Sequence, residues 1–362
     1  MKEKNIKIII GNNIKNSIKE MGYKQDFVAK KLDISRQTLN NYMSGNTSID
    51  IEKLIKLSEL LKRNVDFFYK DSYKFGNYLF RSDSKVDKGT RIKFEEKMRK
   101  YIEIEKLIGK KTIPYMLEVY LEKINKKFID SIAQKIRCFW NIGLDDPIAN
   151  TINLLESNGI KVMQFSSSDH KISGFSAFNN KIGYCIYLNS KCTIERQIFT
   201  AIHELAHFIF HRNDYGKDLI SKVDDDKEEV ANYFAGVFLI PGNSLKKFCE
   251  ANYFRKIDFK EVCYTKKYFK VSAESIIKRL YQEKIINESE YKKLREEANK
   301  EVGTIGEREP LSEKDFTNNF RFISLVKNAY LESKITTSKV AGLMDLSIIE
   351  SNRLAERWLS NG

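Results

Sequence analysis

The sequence lacks the features of a membrane-spanning or disulfide-bonded protein. No apolar run approaches the ~18 residues that a transmembrane helix needs. Residues 8–10 are too few to form the apolar part of a signal peptide. The cysteines form no CxxC pair and no even set, which is typical of free thiols in a reducing compartment. They are Cys138, Cys185, Cys192, Cys249 and Cys263. We therefore expect a cytoplasmic protein with no membrane partner.

Histidine is also scarce, yet three of the four histidines fall between His203 and His211, within and just after an H-E-x-x-H motif. Positions i and i+4 of a helix share one face, so His203 and His207 can hold one Zn²⁺ together. Glu204 would then lie beside the metal's open position as a general base. The alternative is a helix with two structural histidines. The apolar run 198–210 disfavours it, because buried imidazoles need a strong compensating interaction.

A catalytic zinc ion takes three protein ligands and one water, so a further ligand must come from elsewhere. His211 is a poor candidate, because eight residues of helix rise about 12 Å; it could contact a ligand or the substrate, or simply end the helix. Glu228 is a better candidate, since it opens an expected helix over 226–241 and shares a face with Asn232. Glu229 points about 100° away. The alternative for Glu228 is a solvated first-turn carboxylate.

These segments resemble the ImmA/IrrE family of zinc metallopeptidases over about residues 90 to 300. The resemblance rests on Arg196-Gln-Ile-Phe-Thr200-Ala-Ile-His-Glu-Leu-Ala-His207, on Glu228-x-x-Ala231-Asn232-x-Phe234-Ala235-x-x-x-Leu239-x-Pro241, and on upstream segments at 147–148, 154–162, 173–175 and 186–189. It implies His203, His207 and Glu228 as zinc ligands and Glu204 as the base. The family's glycine in H-E-L-G-H is Ala206 here, a small-for-small change.

The first seventy residues are expected to form a separate unit of five short helices, over 13–21, 25–32, 36–44, 51–61 and 65–68. Asp33 and Ile34 would form a tight turn. Ser35 would cap the third helix and Gly45 would close it. Short helices joined by a turn of three or four residues are the helix-turn-helix arrangement.

This unit resembles the XRE (Cro/cI-like) family through Gln25-x-x-x-Ala29-x-x-Leu32-x-Ile34-Ser35-x-x-Thr38-Leu39-x-x-Tyr42-x-Ser44-Gly45. In such a unit the exposed face of the third helix enters the major groove, where arginine suits guanine and asparagine or glutamine suits adenine. The expected DNA contacts are Gln25, Arg36, Gln37, Thr38, Asn40 and Asn41. The resemblance favours Arg36, Gln37 and Asn41 for bases. The alternative, ordinary polar residues on a solvent face, is disfavoured by the surplus of basic residues in this unit.

The net charge of +14, from 63 lysines and arginines against 49 acidic residues, favours a polyanionic partner such as duplex DNA, although a lysine-rich solvated surface explains part of the excess. We expect a predominantly helical α+β fold. Its parts are a five-helix DNA-binding domain (1–70), a linker (71–92), a zincin-like metallopeptidase domain with a small sheet (93–302) and a C-terminal helical region (303–362).

Several smaller expectations complete this description. Strands are predicted over 160–165, 175–178 and 183–188, the last two as a hairpin, and residues 93–139 are predicted to be helical, with Pro114 near the start of a second helix. The patch 78–81 could dock on the peptidase domain, and His170 is expected on the surface. Residues 334–353 again resemble a helix-turn-helix; this region could bind a partner, form a homodimer or cap the fold. Oxyanion candidates by residue type alone are Tyr184, Tyr187, Tyr233 and Arg196.

Two functions are consistent with these features. The first is a DNA-binding transcriptional regulator with zinc-dependent endopeptidase activity that cleaves a partner repressor or antitoxin, as the family resemblance implies. The second is an antitoxin-like repressor whose peptidase fold serves as a sensor or dimerisation platform with little turnover. The intact set of His203, Glu204, His207 and Glu228 favours the first.

Overall fold

The computed structural model of the chain describes residues 2–61, 63, 65–69, 86–109, 117, 119, 125–167, 172–179, 183–212, 225–300, 307, 309–312 and 320–360. Within these ranges lie 17 helices and one three-stranded sheet, and the chain divides into two compact units, Met1–Gly76 and Asn77–Gly362. The predicted, predominantly helical α+β fold is confirmed. The predicted patch 78–81 and His170 lie outside the described residues. No helix in the described ranges is long and apolar enough to cross a membrane.

The first unit contains five helices, as predicted: α1 (Lys2–Met21), α2 (Gln25–Lys31), α3 (Arg36–Ser44), α4 (Ile51–Leu60) and α5 (Val65–Tyr69). Helix α1 begins well before the predicted residue 13. The side chain of Asn13 ties α1 to α5, because its Nδ2 donates to Phe67 O at 3.1 Å and Phe68 O at 3.0 Å. A Cβ at Gly11 would lie only 2.4 Å from Tyr42 O. This glycine therefore allows α1 to pack directly against the end of α3.

The turn between α2 and α3 has the predicted form. Asp33 adopts a left-handed conformation with φ of 53°, and Ile34 N donates to Ala29 O at 3.0 Å. Ser35 Oγ accepts from Thr38 N at 3.0 Å and so caps α3, which ends at Gly45 with φ of 72°. Val28 and Leu39 are fully buried on either side of the turn, so the apolar contact between them fixes the angle between the two helices.

The second unit is built around a three-stranded sheet. Its elements, in chain order, are α6 (Lys88–Ile108), α7 (Lys126–Phe139), α8 (Thr151–Ser157), β1 (Lys161–Phe165), β2 (Gly174–Asn179), β3 (Gly183–Asn189), α9 (Ile194–Phe210), α10 (Asp225–Leu239), α11 (Gly242–Ala251), α12 (Phe259–Phe269), α13 (Ala273–Gln282), α14 (Glu288–Lys300), α15 (Phe320–Leu331), α16 (Thr337–Met344) and α17 (Ile348–Ser360). The strand order is β1-β3-β2. Strand β3 is parallel to β1 and antiparallel to β2, so the predicted hairpin is present.

Helix α9 carries the H-E-x-x-H motif and packs closely against the sheet. A Cβ at Gly174 would lie 2.5 Å from Thr200 Cγ2 and 2.6 Å from Tyr187 O, so glycine is the residue that permits this approach. On its other side α9 packs against α10 over the fully buried Ala231 and Ala235. These two contacts fix α9 between the sheet and α10.

The prediction that residues 93–139 are helical is confirmed over α6 and α7 and is wrong for the described residues between them. Helix α6 ends at Gly109, which has φ of 75°, and α7 begins at Lys126, whereas residues 117, 119 and 125 are not helical. Pro114 lies outside the described residues. Its cap is Asn125, whose Oδ1 accepts from Phe128 N at 3.1 Å. Between the two helices, Val119 N donates to Ile209 O at 2.9 Å. The Val119 N–H therefore bonds to one of the last carbonyls of α9, which have no partner within that helix, and not to a carbonyl of a helix of its own.

The helix-turn-helix geometry of α2 and α3 recurs twice in the second unit. Lys270, between α12 and α13, and Asp345, between α16 and α17, have φ of 55° and 57°. In both turns the next residue donates its N–H to a carbonyl five residues earlier, as Val271 does to Lys266 at 3.2 Å and Leu346 does to Ala341 at 3.0 Å. A serine then precedes the following helix each time. The second unit thus contains two further helix-turn-helix segments among its described residues.

The C-terminal segments are anchored to the rest of the second unit by buried polar contacts. Arg321, on α15, donates to Glu105 Oε1 at 2.8 Å and to the Tyr101 hydroxyl at 2.9 Å, both on α6. Lys266 is fully buried and donates to Glu195 Oε1 at 3.1 Å and Glu307 Oε1 at 2.9 Å. Residue 307 lies in the predicted C-terminal region, and this ion pair holds it against α9 and α12.

Candidate metal centre

The three predicted metal ligands come together at one point. His203 Nε2 lies 3.0 Å from His207 Nε2 and 3.0 Å from Glu228 Oε2, and His207 Nε2 lies 3.5 Å from Glu228 Oε1. Tetrahedral ligands at the Zn–N distance of about 2.0–2.1 Å are about 3.3–3.4 Å apart. Two imidazoles and a carboxylate are also the ligand set of one class of catalytic zinc site. The donor atoms and their spacing therefore fit a zinc ion.

Helix packing explains why Glu228, and not its neighbour, lies at this point. The buried alanines at the contact of α9 and α10 let the first turn of α10 approach the histidines. The Glu228 side chain is only 15% exposed, so the alternative of a solvated carboxylate is disfavoured. Glu229 is 56% exposed and pairs with Lys126 at 3.8 Å. The two adjacent acids therefore lie in different environments, as their positions on a helix predict.

A second layer of side chains orients the two imidazoles. Asn232 Oδ1 lies 3.0 Å from His203 Nδ1, and His211 Nδ1 lies 2.9 Å from His207 Nδ1. Such contacts fix which nitrogen faces a metal and how the ring is turned. Of the alternatives considered for His211, the structure supports contact with a candidate metal ligand, His207. The orienting role of Asn232 was missed, although its position four residues after Glu228 was a usable signal.

Two carboxylates, Glu204 and Glu228, act on His203 at the candidate metal site. Burial alone would lower the pKa of His203, but the hydrogen bond with Glu228 and the charges of Glu204 and Glu228 outweigh it, so the pKa is raised. A pocket that favours a protonated imidazole also favours a metal cation.

Glu204 lies one residue after His203, and its side chain is buried between α9 and β2. The hydroxyl of Ser176, on β2, donates to Glu204 Oε2. Ser176 is fully buried, and a buried serine beside a carboxylate fixes the rotamer of that carboxylate through a charge-assisted hydrogen bond. Sequence reasoning missed Ser176. The available signal was a polar residue in an otherwise apolar strand.

The four oxyanion candidates lie in different surroundings. Tyr184 is buried against Phe208, and Tyr187 donates its hydroxyl to Phe165 O at 3.0 Å, so both serve the core. The Tyr233 hydroxyl donates to Asp130 Oδ2 at 3.4 Å. Burial, reinforced by the charge of Asp130, raises the pKa of Tyr233 to about 12. Arg196 is exposed and lines a cleft that leads to the candidate metal site.

Two adjoining openings give access to the site. The smaller has a volume of about 350 Å³ and is lined by Glu228 itself. The larger has a volume of about 710 Å³ and runs between the start of α9 and α13. Both are lined by Asn232, Lys278 and Gln282. Because they share these three residues, the two openings form one continuous surface beside the candidate metal ligand Glu228.

The predicted DNA contacts lie on one part of the first unit, around the start of α3. Arg36 and Gln37 are exposed, whereas Gln25, Thr38, Asn40 and Asn41 are partly exposed. Arg36 pairs with Asp26 at 3.4 Å, and both side chains are more than half exposed, so DNA could displace this weak pair. Thr38 Oγ1 lies 2.8 Å from Ser35 Oγ and supports the cap of α3.

One protein-family model matches a segment of each unit. Residues 14–68 match the family model HTH_3, described as helix-turn-helix, and residues 155–281 match the model Peptidase_M78, described as IrrE N-terminal-like domain. A search of curated proteins found no match. The helix-turn-helix match supports DNA binding, and the peptidase match places the candidate ligands and Glu204 inside a metallopeptidase-family domain.

Proposed function

We propose that this chain, which joins an XRE-type helix-turn-helix domain to an ImmA/IrrE-like peptidase domain, is a DNA-binding regulator with zinc-dependent endopeptidase activity. Its substrate would be a partner protein, either a helix-turn-helix repressor or an antitoxin. The observation that carries the proposal is the convergence of His203, His207 and Glu228 within hydrogen-bonding range of one another, with Glu204 buried beside them. A decayed site would have lost at least one of these groups.

Each residue of the candidate site has a separate role in the proposed peptide hydrolysis. His203, His207 and Glu228 would hold the zinc ion, which when bound lowers the pKa of a coordinated water and polarises the scissile carbonyl. Glu204 would accept a proton from the attacking water and deliver it to the departing amine. Ser176 holds the Glu204 carboxylate in place for both transfers. Asn232 and His211 keep the Nε2 atoms of the histidines directed at the metal.

DNA recognition is assigned to α3. Its first two residues, Arg36 and Gln37, can bond to base edges in the major groove. The corresponding residues directly after the serine are Ala273 and Glu274 at α13, and Ile348 and Ile349 at α17. Alanine and isoleucine cannot make such bonds, and glutamate is repelled by phosphates. At these two positions, the first of the three helix-turn-helix segments described has the side chains best suited to read base edges.

The test is a proteome-wide map of new protein N-termini in cells of the native host that lack the chromosomal copy and express either wild type, Glu204→Gln or Glu250→Gln. We expect cleavage of a small repressor or antitoxin with wild type and Glu250→Gln and none with Glu204→Gln, because Glu204 is the group assigned to move the proton. The Glu250 variant is the matched control, since it removes an exposed carboxylate that lines neither opening. Identical maps for all three proteins would contradict peptidase function and favour a regulator with little turnover.

A further inference from the structure

The larger of the two openings has an unbalanced charge. Its acidic lining residues have basic partners: Glu195 and Glu307 share the buried Lys266, which leaves one negative charge between them, and Glu274 pairs with Arg295 at 3.2 Å. Arg279, a basic lining residue, pairs with Glu283 at 2.7 Å. The remaining cations of the lining, Lys191, Arg196 and Lys278, are exposed and form no ion pair with the part of the chain that the structure describes.

These three cations are placed along the path to the metal ligands. Lys278 lines both openings, and Glu228 lines the smaller of them. Arg196 precedes His203 by seven residues on α9, which corresponds to about 10 Å of helix rise. Phe199, between them, lies with its ring 6.5 Å from the His203 ring and also lines the cleft. The positive side of the cleft thus begins beside the candidate metal site and continues along α9.

The smaller opening has no such surplus of cations. It is lined by Asp225 and Glu229 in addition to Glu228, and by two lysines, Lys278 and Lys126, the latter paired with Glu229. Positive charge without a partner is therefore concentrated on the side of α9 and α13. A substrate that crosses the metal ligands would have a cationic wall on one side of its scissile bond only.

We infer that the cleft between α9 and α13 binds an acidic segment of the protein substrate, with Lys191, Arg196 and Lys278 as the specificity-determining residues. This inference rests on the proposed peptidase function for its biological meaning. An extended chain advances about 3.3 Å per residue, so a carboxylate that reaches Arg196 lies about three residues from the scissile bond. The smaller opening has no comparable surplus of cations, so no preference for acids is expected on the opposite side of that bond.

A binding measurement tests the charge preference without requiring turnover. The probe is a fluorescein-labelled decapeptide with four glutamates, compared with the same peptide carrying four glutamines. The protein is the full chain with Glu204→Gln, reconstituted with zinc, and an excess of duplex DNA covers the basic surface of the first unit. We expect the glutamate peptide to bind on the order of tenfold more tightly, because each of the three exposed charge pairs adds a small favourable contribution.

Two variants of the Glu204→Gln protein identify the residues responsible for the charge preference. Arg196→Gln with Lys278→Gln should remove most of the preference, whereas Lys256→Gln, an exposed lysine outside the cleft, should leave it unchanged. Zinc content and circular dichroism show whether each variant is folded. Equal binding of the two peptides, or equal losses in the double variant and in Lys256→Gln, would overturn the inference.

Cleavage-site profiling of a random peptide library with wild type then tests the positional part. We expect aspartate and glutamate to be enriched about three residues from the cut, on one side only. Cleavage with no acidic preference would overturn the inference and leave the proposed function intact. An acidic preference in binding without any cleavage by wild type would contradict the proposed peptidase function and leave the inference intact. The cleft would then bind acidic chains in a protein that is not a peptidase.

Discussion

The contact between His207 and His211 leads to a quantitative prediction. If His207 binds zinc through Nε2, its Nδ1 carries the proton and donates it to His211 Nδ1, which lies 2.9 Å away. His207 is 1% exposed and His211 is 7% exposed, so water cannot easily replace this partner. Leaving a buried donor without its partner costs about 1–3 kcal/mol. His211→Leu should therefore weaken zinc binding about 10- to 100-fold, the usual range for orienting residues.

Competition with a fluorescent zinc chelator would measure this loss. His211→Asn is the matched control, because an asparagine places a polar atom near the position of Nδ1 and should keep most of the affinity. Thermal unfolding of the zinc-free proteins would show whether the leucine variant is simply unstable. Unchanged zinc affinity in a folded His211→Leu protein would refute the orienting role. Equal losses in the leucine and asparagine variants would show that the ring itself is needed, and not the hydrogen bond.

Three further predictions follow from other parts of the molecule. Arg36→Ala with Gln37→Ala should weaken binding to DNA fragments recovered with wild type by about 1–3 kcal/mol per lost base contact, measured by fluorescence anisotropy; Ile348→Ala with Ile349→Ala should not, and equal losses would reject the assignment of α3. Gly174→Ala should destabilise the protein by about 1–3 kcal/mol in urea unfolding, because its Cβ would lie 2.5 Å from Thr200 Cγ2. Gly342→Ala, with nothing within 4 Å, should be neutral or slightly stabilising, and similar effects of the two would contradict this packing. Burial raises the pKa of Glu156 to about 7 against the weaker opposing effect of Arg321, so the folded state holds a proton that the unfolded state releases near pH 4.5. Stability should thus fall by about 3 kcal/mol as pH rises from 4.5 to above 7. This fall should be largely absent in Glu156→Gln, and parallel pH profiles of the two proteins would contradict it.

The short-range features of the fold could be predicted from sequence because they depend on nearby residues. The turn at Asp33, the cap at Ser35 and the end of α3 at Gly45 each depend on backbone preferences within a few positions. The spacing of His203 and His207 likewise needs only the period of a helix. Glu228 could be predicted because a zinc site requires a third ligand and α10 begins with acids.

The features that were missed depend on contacts between distant segments. The Val119 N–H bonds to a carbonyl at the end of α9, and no sequence pattern near Val119 predicts that bond. Ser176 reaches Glu204 only because β2 lies against α9, which in turn requires Gly174. Two acids of the cleft, Glu195 and Glu307, share Lys266, which lies on α12 and bonds to both. Sequence patterns identify such residues as polar or small without showing what they contact.

The metal content of the purified protein tests the central claim most directly. Mass spectrometry on wild type, Glu228→Ala and Glu229→Ala, each reconstituted with zinc and then dialysed, should give about one zinc per chain in wild type and in the Glu229 variant. The Glu228 variant should have lost it, because only that carboxylate faces the two histidines. Full zinc occupancy in Glu228→Ala, or none in reconstituted wild type, would contradict the proposed metal centre and with it the peptidase function.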